Sequence, residues 1–235
     1  MVARKKAVVK RETSNDVAPS YMKEGTRGSE NVTANDLIIP RVGLIQALSP
    51  QRKKTNAEYI EGAEEGAMFN SVTSELYGET LEFIPVYFKV EHVIWKDREK
   101  GGGFRGAFDS VESAMAAKND LEDGDDCEIK ETAQHYVLIP KDDGAMEEAI
   151  LSMSSSKLST SRKLNSLARI AGGDRFSRKY ALSSVEVDGA KGEYYSYTVK
   201  MVDGFVDEDE YKAGETMYDN ISSGKRTIDR EGDVD

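Results

Sequence analysis

The run LEFIPVYFKVEHVIW, from Leu81 to Trp95, constrains the fold more than any other stretch of the chain. Apolar residues recur at every second position from Ile84 to Val90 and again at Ile94, a period that suits an extended strand and no helix. Ile84, Val86, Phe88, Val90 and Ile94 share one face. Phe83, Tyr87, Lys89 and Trp95 share the other. The first set reads as core and the second as a half-exposed aromatic and basic surface. A strand this long needs a sheet to cover it.

Partners for it follow in order. EIKETAQHYVLIP and AMEEAILSM flank the hairpin turn KDDG and read as strands at 130–140 and 145–153. A basic amphipathic helix is predicted over 156–171, capped by Ser155 or Ser156 and stopped by Gly172 and Gly173. On it Leu158, Leu164, Leu167, Ala168 and Ala171 gather on one side, with Arg162 and Arg169 opposite. FSRKYALSSVEV and GEYYSYTVKMV then read as strands at 176–187 and 193–202. The fold class is therefore mainly β. Five strands with one helix between strands 3 and 4 is the order of an OB-like β-barrel, a class that binds oligonucleotides; an α+β sandwich shares that order. A Gly-rich loop, a short helix over 111–121 and an acidic loop form a large insert between the first two strands.

Both ends read as flexible termini. Residues 1–33 are polar, basic and without a period, an arm with no apolar h-region of a signal peptide. Residues 34–203 make the folded domain, and 204–235 an acidic helix and tail. Hydrophobic residues are 38% of the 235 and charged residues 32%, as expected when the ends stay unpacked. The single cysteine, Cys127, excludes a disulfide framework and fits a reducing cytoplasm.

The net charge is −11, but it is segregated. Acids collect at 120–131 and after Asp203, while 157–179 reverses the sign. That segment holds Lys157, Arg162, Lys163, Arg169, Arg175, Arg178 and Lys179 against one acid, Asp174. Cations for phosphates beside rings for bases are what a single-stranded nucleic-acid surface requires. The candidate binding residues are these seven cations with Lys89, and the rings of Tyr87, Trp95, Phe176, Tyr180 and Tyr195.

Catalytic patterns are sparse, and the chain reads as a non-enzyme without a cofactor. His92, His135 and Cys127 are too few for a zinc site, and neither histidine sits in a triad context. The loop GGGF lacks the lysine and Ser/Thr of a phosphate cradle. Aligning DLEDGDD with a calcium loop puts Leu121 at a ligand position and Lys130 at the closing carboxylate. One enzymatic alternative survives, a magnesium-dependent nuclease built on Glu128-Ile129-Lys130 with Asp126 and Asp109.

The phrases DLIIPRVGLIQALSPQ, YIEGAEEGAMFNSVT, FIPVYF followed by IW, and LSTSRKLNSL resemble tailed-bacteriophage proteins associated with DNA replication and recombination. The plan of a barrel followed by an acidic tail is similar to that of phage single-stranded-DNA-binding proteins. The resemblance implies a protein of the host cytoplasm that binds single-stranded DNA. It also implies a tail that competes with DNA for the basic groove and recruits replication proteins; removing the chain after Asp203 should then tighten DNA binding. The alternative is a regulatory or virion-associated phage protein that binds another protein.

Overall fold

The computed structural model describes residues 27–32, 37–189 and 192–224. Most of the predicted basic arm and the acidic end 225–235 lie outside the described residues. Strands account for 39% of what is described and helices for 28%, so the fold is mainly β.

A small antiparallel sheet comes first: β1 (Val42–Leu44), β2 (Met68–Asn70) and β3 (Leu76–Gly78), in that spatial order. The large sheet begins with β4 (Thr80–Lys96), followed by β5 (Phe104–Phe108), α1 (Val111–Asp120), β6 (Cys127–Pro140) and β7 (Met146–Ser154). After α2 (Leu158–Ala171), β8 (Tyr180–Gly189) and β9 (Gly192–Met201), the chain continues into α3 (Glu208–Ser222). Five strands with one helix between the third and fourth is the order read from the sequence, and β4, β6, β7, α2, β8, β9 follow it.

The strands do not close into a barrel. Their order is β7-β6-β4-β8-β9, with β5 paired to the far end of β4, and β7 and β9 remain opposite edges of an open sheet. Each edge is occupied by something other than the opposite edge. On β9 the Gln46 side chain bonds both the N–H and the C=O of Tyr195, and Thr160 of α2 donates to the Tyr197 carbonyl at 2.6 Å. On β7 the Ile150 N–H donates to the Pro40 carbonyl at 2.9 Å. Those backbone groups are engaged by other parts of the chain and not by the opposite edge.

The long strand has the predicted extent, but its faces do not keep one parity. Pro85 pairs with Val137 and Tyr87 with Tyr136, so Val86 is an extra residue, a β-bulge. Before it Leu81 and Phe83 point into the core shared with α2, β8 and β9; beyond it Phe88 does. Ile84, Val86 and Tyr87 face the opposite side, where Tyr136, Leu138 and Ile150 meet Met217 of α3. Phe83 is thus fully buried and Val90 exposed, the reverse of the strict alternation. Here both sheet faces are covered, by α2 on one side and α3 on the other.

Local signals act much as expected. Gly172, at φ 68°, stops α2 in the left-handed region that favours glycine. The start of α2 differs from prediction: a 3-10 turn, Ser155–Lys157, leads in, Lys157 stands at the cap, and no serine side chain caps the helix. α3 has a full capping box, in which Asp207 accepts from the Glu210 N–H and Glu210 accepts from the Asp207 N–H.

Candidate nucleic-acid interface

α2 is an acid-free helix, LSTSRKLNSLARIA. Leu164 is buried in the core, with Leu158, Leu167 and Ala168 packed beside it. The 3.6-residue turn therefore leaves Arg162, Lys163 and Arg169 on the opposite, exposed face. None of the three makes an ion pair with another described residue. Arg162 and Arg169 lie two turns apart, roughly 10 Å along the axis. Ile170, beside Arg169, is 81% exposed.

The other predicted cations are engaged within the protein. Lys89 pairs with buried Glu91 at 2.5 Å. Lys157 lies over the Tyr197 ring, 5.0 Å from its centroid. Arg178 donates to the Gly204 carbonyl and stacks on Phe205 at 3.8 Å. Lys179 pairs with Glu210, which is buried at the start of α3. Arg175 points inward to Asn165 and His135. The basic segment is thus split: three cations on α2 face solvent, and the loop cations tie α2 and β8 to their neighbours.

The predicted rings are mostly packing residues. Phe176 is 6% exposed and Tyr180 1%, so neither offers a face to a base. Tyr87 packs edge-on against Tyr136 and beside Tyr218 of α3. Trp95 is half-buried, edge-on to Phe104. Tyr195 lies against Gly66, where even a Cβ would come within 2.6 Å of the ring. Glu186 above all, then burial, then Glu65, Glu79 and Glu193 push its hydroxyl pKa up. Phosphates would be repelled from that ring.

A buried polar network escaped the sequence reading. His135, on β6 and fully buried, meets Ser161 of α2 through Nε2 at 2.7 Å and Arg175 Nη2 through Nδ1 at 2.9 Å. A guanidinium can only donate, so Nδ1 accepts and the proton of the neutral ring sits on Nε2, donating to Ser161. Burial first, and then the Arg175 charge, lowers His135 to about 3, keeping it neutral. The tautomer is the wrong one to deprotonate Ser161, so the pair is not an activated nucleophile. The residues are 26 and 40 positions apart, and no local signal joins them.

Among the described residues no three His, Cys, Asp or Glu side chains converge as a metal site. Glu128 pairs with Lys130 at 2.8 Å, and Asp126 with Lys100 at 3.4 Å. Asp123 is lowered to about 2 by hydrogen bonds from Arg105 and then Lys96. No described helix is long and apolar enough to cross a membrane.

No curated protein and no solved structure matches the chain. The profile of a protein family described as Pam3 phage gp34-like protein matches residues 9–227, nearly the whole length. This is a phage protein, and it belongs to the Pam3 phage gp34-like family.

Proposed function

We propose that this phage protein binds single-stranded DNA during replication or recombination in the host cytoplasm, gripping phosphates from the exposed face of α2. The observation that carries the reading is the acid-free helix whose Arg162, Lys163 and Arg169 are exposed in a chain of net charge −11. Cations on one helix face can each engage a phosphate of a strand, and every such contact adds to a salt-dependent affinity. The contact is mainly electrostatic and sequence-independent, because the rings that would stack on bases are largely committed to packing.

The test is fluorescence anisotropy with labelled oligo-dT over a salt series, with duplex DNA as control. Binding should weaken as salt rises, with a log-log slope that drops by about 2 when Arg162, Lys163 and Arg169 are all changed to Gln, at roughly 0.7 per phosphate contact. No binding at low salt, or an unchanged slope in the triple variant, sinks the proposal. Ile170 beside Arg169 favours a second reading, in which the same face takes an acidic, partly apolar protein segment. An Ile170→Ser variant that binds DNA normally but loses a phage protein partner would support it.

A further inference from the structure

Arg175 opens the 3-10 turn Arg175–Ser177 that follows α2. Its guanidinium lies over the Phe88 ring, 5.6 Å from the centroid. Nη2 donates to Asn165 Oδ1 at 2.8 Å and to His135 Nδ1 at 2.9 Å. Nε is buried and has no hydrogen-bond partner among the described residues. The residue as a whole is half-buried, so the group is withdrawn from water without being sealed from it.

None of these partners is an anion. Asn165 is neutral, and His135 is held neutral by burial and by Arg175 itself. The one neighbouring acid in sequence, Asp174, instead accepts from the Tyr211 hydroxyl of α3. A guanidinium taken out of water without a counter-charge is costly, and buried cations ordinarily find a carboxylate. Here the group is fixed by an aromatic face and two neutral acceptors that take both Nη2 hydrogens, which leaves Nη1 for a further acceptor. A phosphate oxygen would be taken by Nη1, on a cation with no counter-charge whose fixed position leaves little freedom to lose on binding.

We infer that Arg175 anchors an anion site that takes a phosphate group, at the flank of α2 marked by Asn165. Helical spacing puts Arg162 and Arg169, three before and four after Asn165, on the adjoining surface. The inference does not require DNA as the carrier, because the phosphate of a nucleic-acid strand and a free phosphate present the same oxygens.

The decisive variant is Asn165→Asp. It keeps Arg175 and the size of its partner, but places a carboxylate where Oδ1 now sits, 2.8 Å from Nη2. Inorganic phosphate is titrated into the full chain and followed by phosphorus NMR line broadening and thermal melting. The wild-type protein should bind phosphate, and the Arg162/Lys163/Arg169→Gln variant should still do so. N165D should melt higher and yet bind phosphate at least about tenfold more weakly, since its own carboxylate supplies the counter-charge that Arg175 lacks. Arg175→Lys, which keeps the charge and loses the fork, should weaken binding too. Displacement of phosphate by oligo-dT would assign the site to a strand phosphodiester; no displacement would assign it to free phosphate or a small phosphoester. A wild-type protein that binds no phosphate, or an N165D protein that melts higher and binds it undiminished, overturns the inference. Loss of DNA binding in the Arg162/Lys163/Arg169→Gln variant tests the α2 reading separately.

Discussion

Gln46 holds Tyr195 across 149 residues: its Oε1 accepts from the Tyr195 N–H at 2.8 Å, and its Nε2 donates to the Tyr195 carbonyl at 2.9 Å. One side-chain amide thus stands in for a neighbouring strand at the edge of β9. Gln46→Ala removes both bonds and bares that edge. Urea unfolding should show a loss of about 1–2 kcal/mol. Size-exclusion chromatography should also show concentration-dependent association, because an open edge pairs with other edges. An unchanged midpoint and a monodisperse profile would count against this role for the amide.

α3 is part of the core: Met217 is buried with Ile84, Val86 and Tyr136. Gly214 lets the helix sit so close to Phe176 that a Cβ there would come within 2.7 Å of the Phe176 Cβ. Gly214→Ala should cost about 1–3 kcal/mol by overpacking. Truncation after Asp203 would uncover Ile84, Val86, Tyr136 and Leu138, and should give aggregated protein in light scattering. Tighter DNA binding by a folded truncated protein, the outcome expected from the sequence, would refute this account.

His135 makes the stability pH-dependent. In the unfolded chain a histidine takes up a proton near pH 6.5, whereas the folded protein holds the ring neutral down to about 3. Its contribution is therefore fully present above pH 6.5 and is lost progressively as pH falls toward 3. Between pH 6.5 and 5 the loss approaches about 2 kcal/mol from this group alone. Denaturant melts of wild type and His135→Gln at the two pH values should show the variant losing less. Equal slopes would mean that His135 is not the group responsible.

Glu147 gathers Asn70 Nδ2 at 2.7 Å, the Tyr77 hydroxyl and Lys141 Nζ at 2.6 Å, joining the small sheet to β7. Burial pushes its pKa up, but the bonds from Lys141, Tyr77 and Asn70 outweigh this and leave it lowered. Its stabilisation is accordingly present above the ordinary carboxylate range and lost as pH falls below it. Glu147→Gln should destabilise by about 1.5–3 kcal/mol at neutral pH. The deficit should shrink in acid, where the native carboxylate is itself protonated; a constant deficit would exclude the ion-pair account.

The period-two run at 81–95, the KDDG turn and the paired glycines after α2 were legible because each acts over a few residues. The same holds for the basic face of α2, where a 3.6-residue turn and a buried Leu164 set where Arg162 and Arg169 must point. The bulge at Val86 was not legible, although Pro85 marks the place, because a one-residue slip appears only when both partners of the ladder are known. The burial of two aromatic candidates was hidden in the same way. Phe176 and Tyr180 read as surface rings while their own segment is taken alone, and become core once α3 packs on the first and β9 pairs beside the second.

Local spacing in the chain thus determined the order of strands and helices and the basic character of α2, since backbone geometry and helical period are properties of neighbours in sequence. Tertiary structure decided the rest. Whether the sheet closes, which cations stay free, and which histidine and arginine share a buried corner depend on groups 26 to 149 residues apart. Burial and pairing energies between such groups exist only after the chain has brought them together.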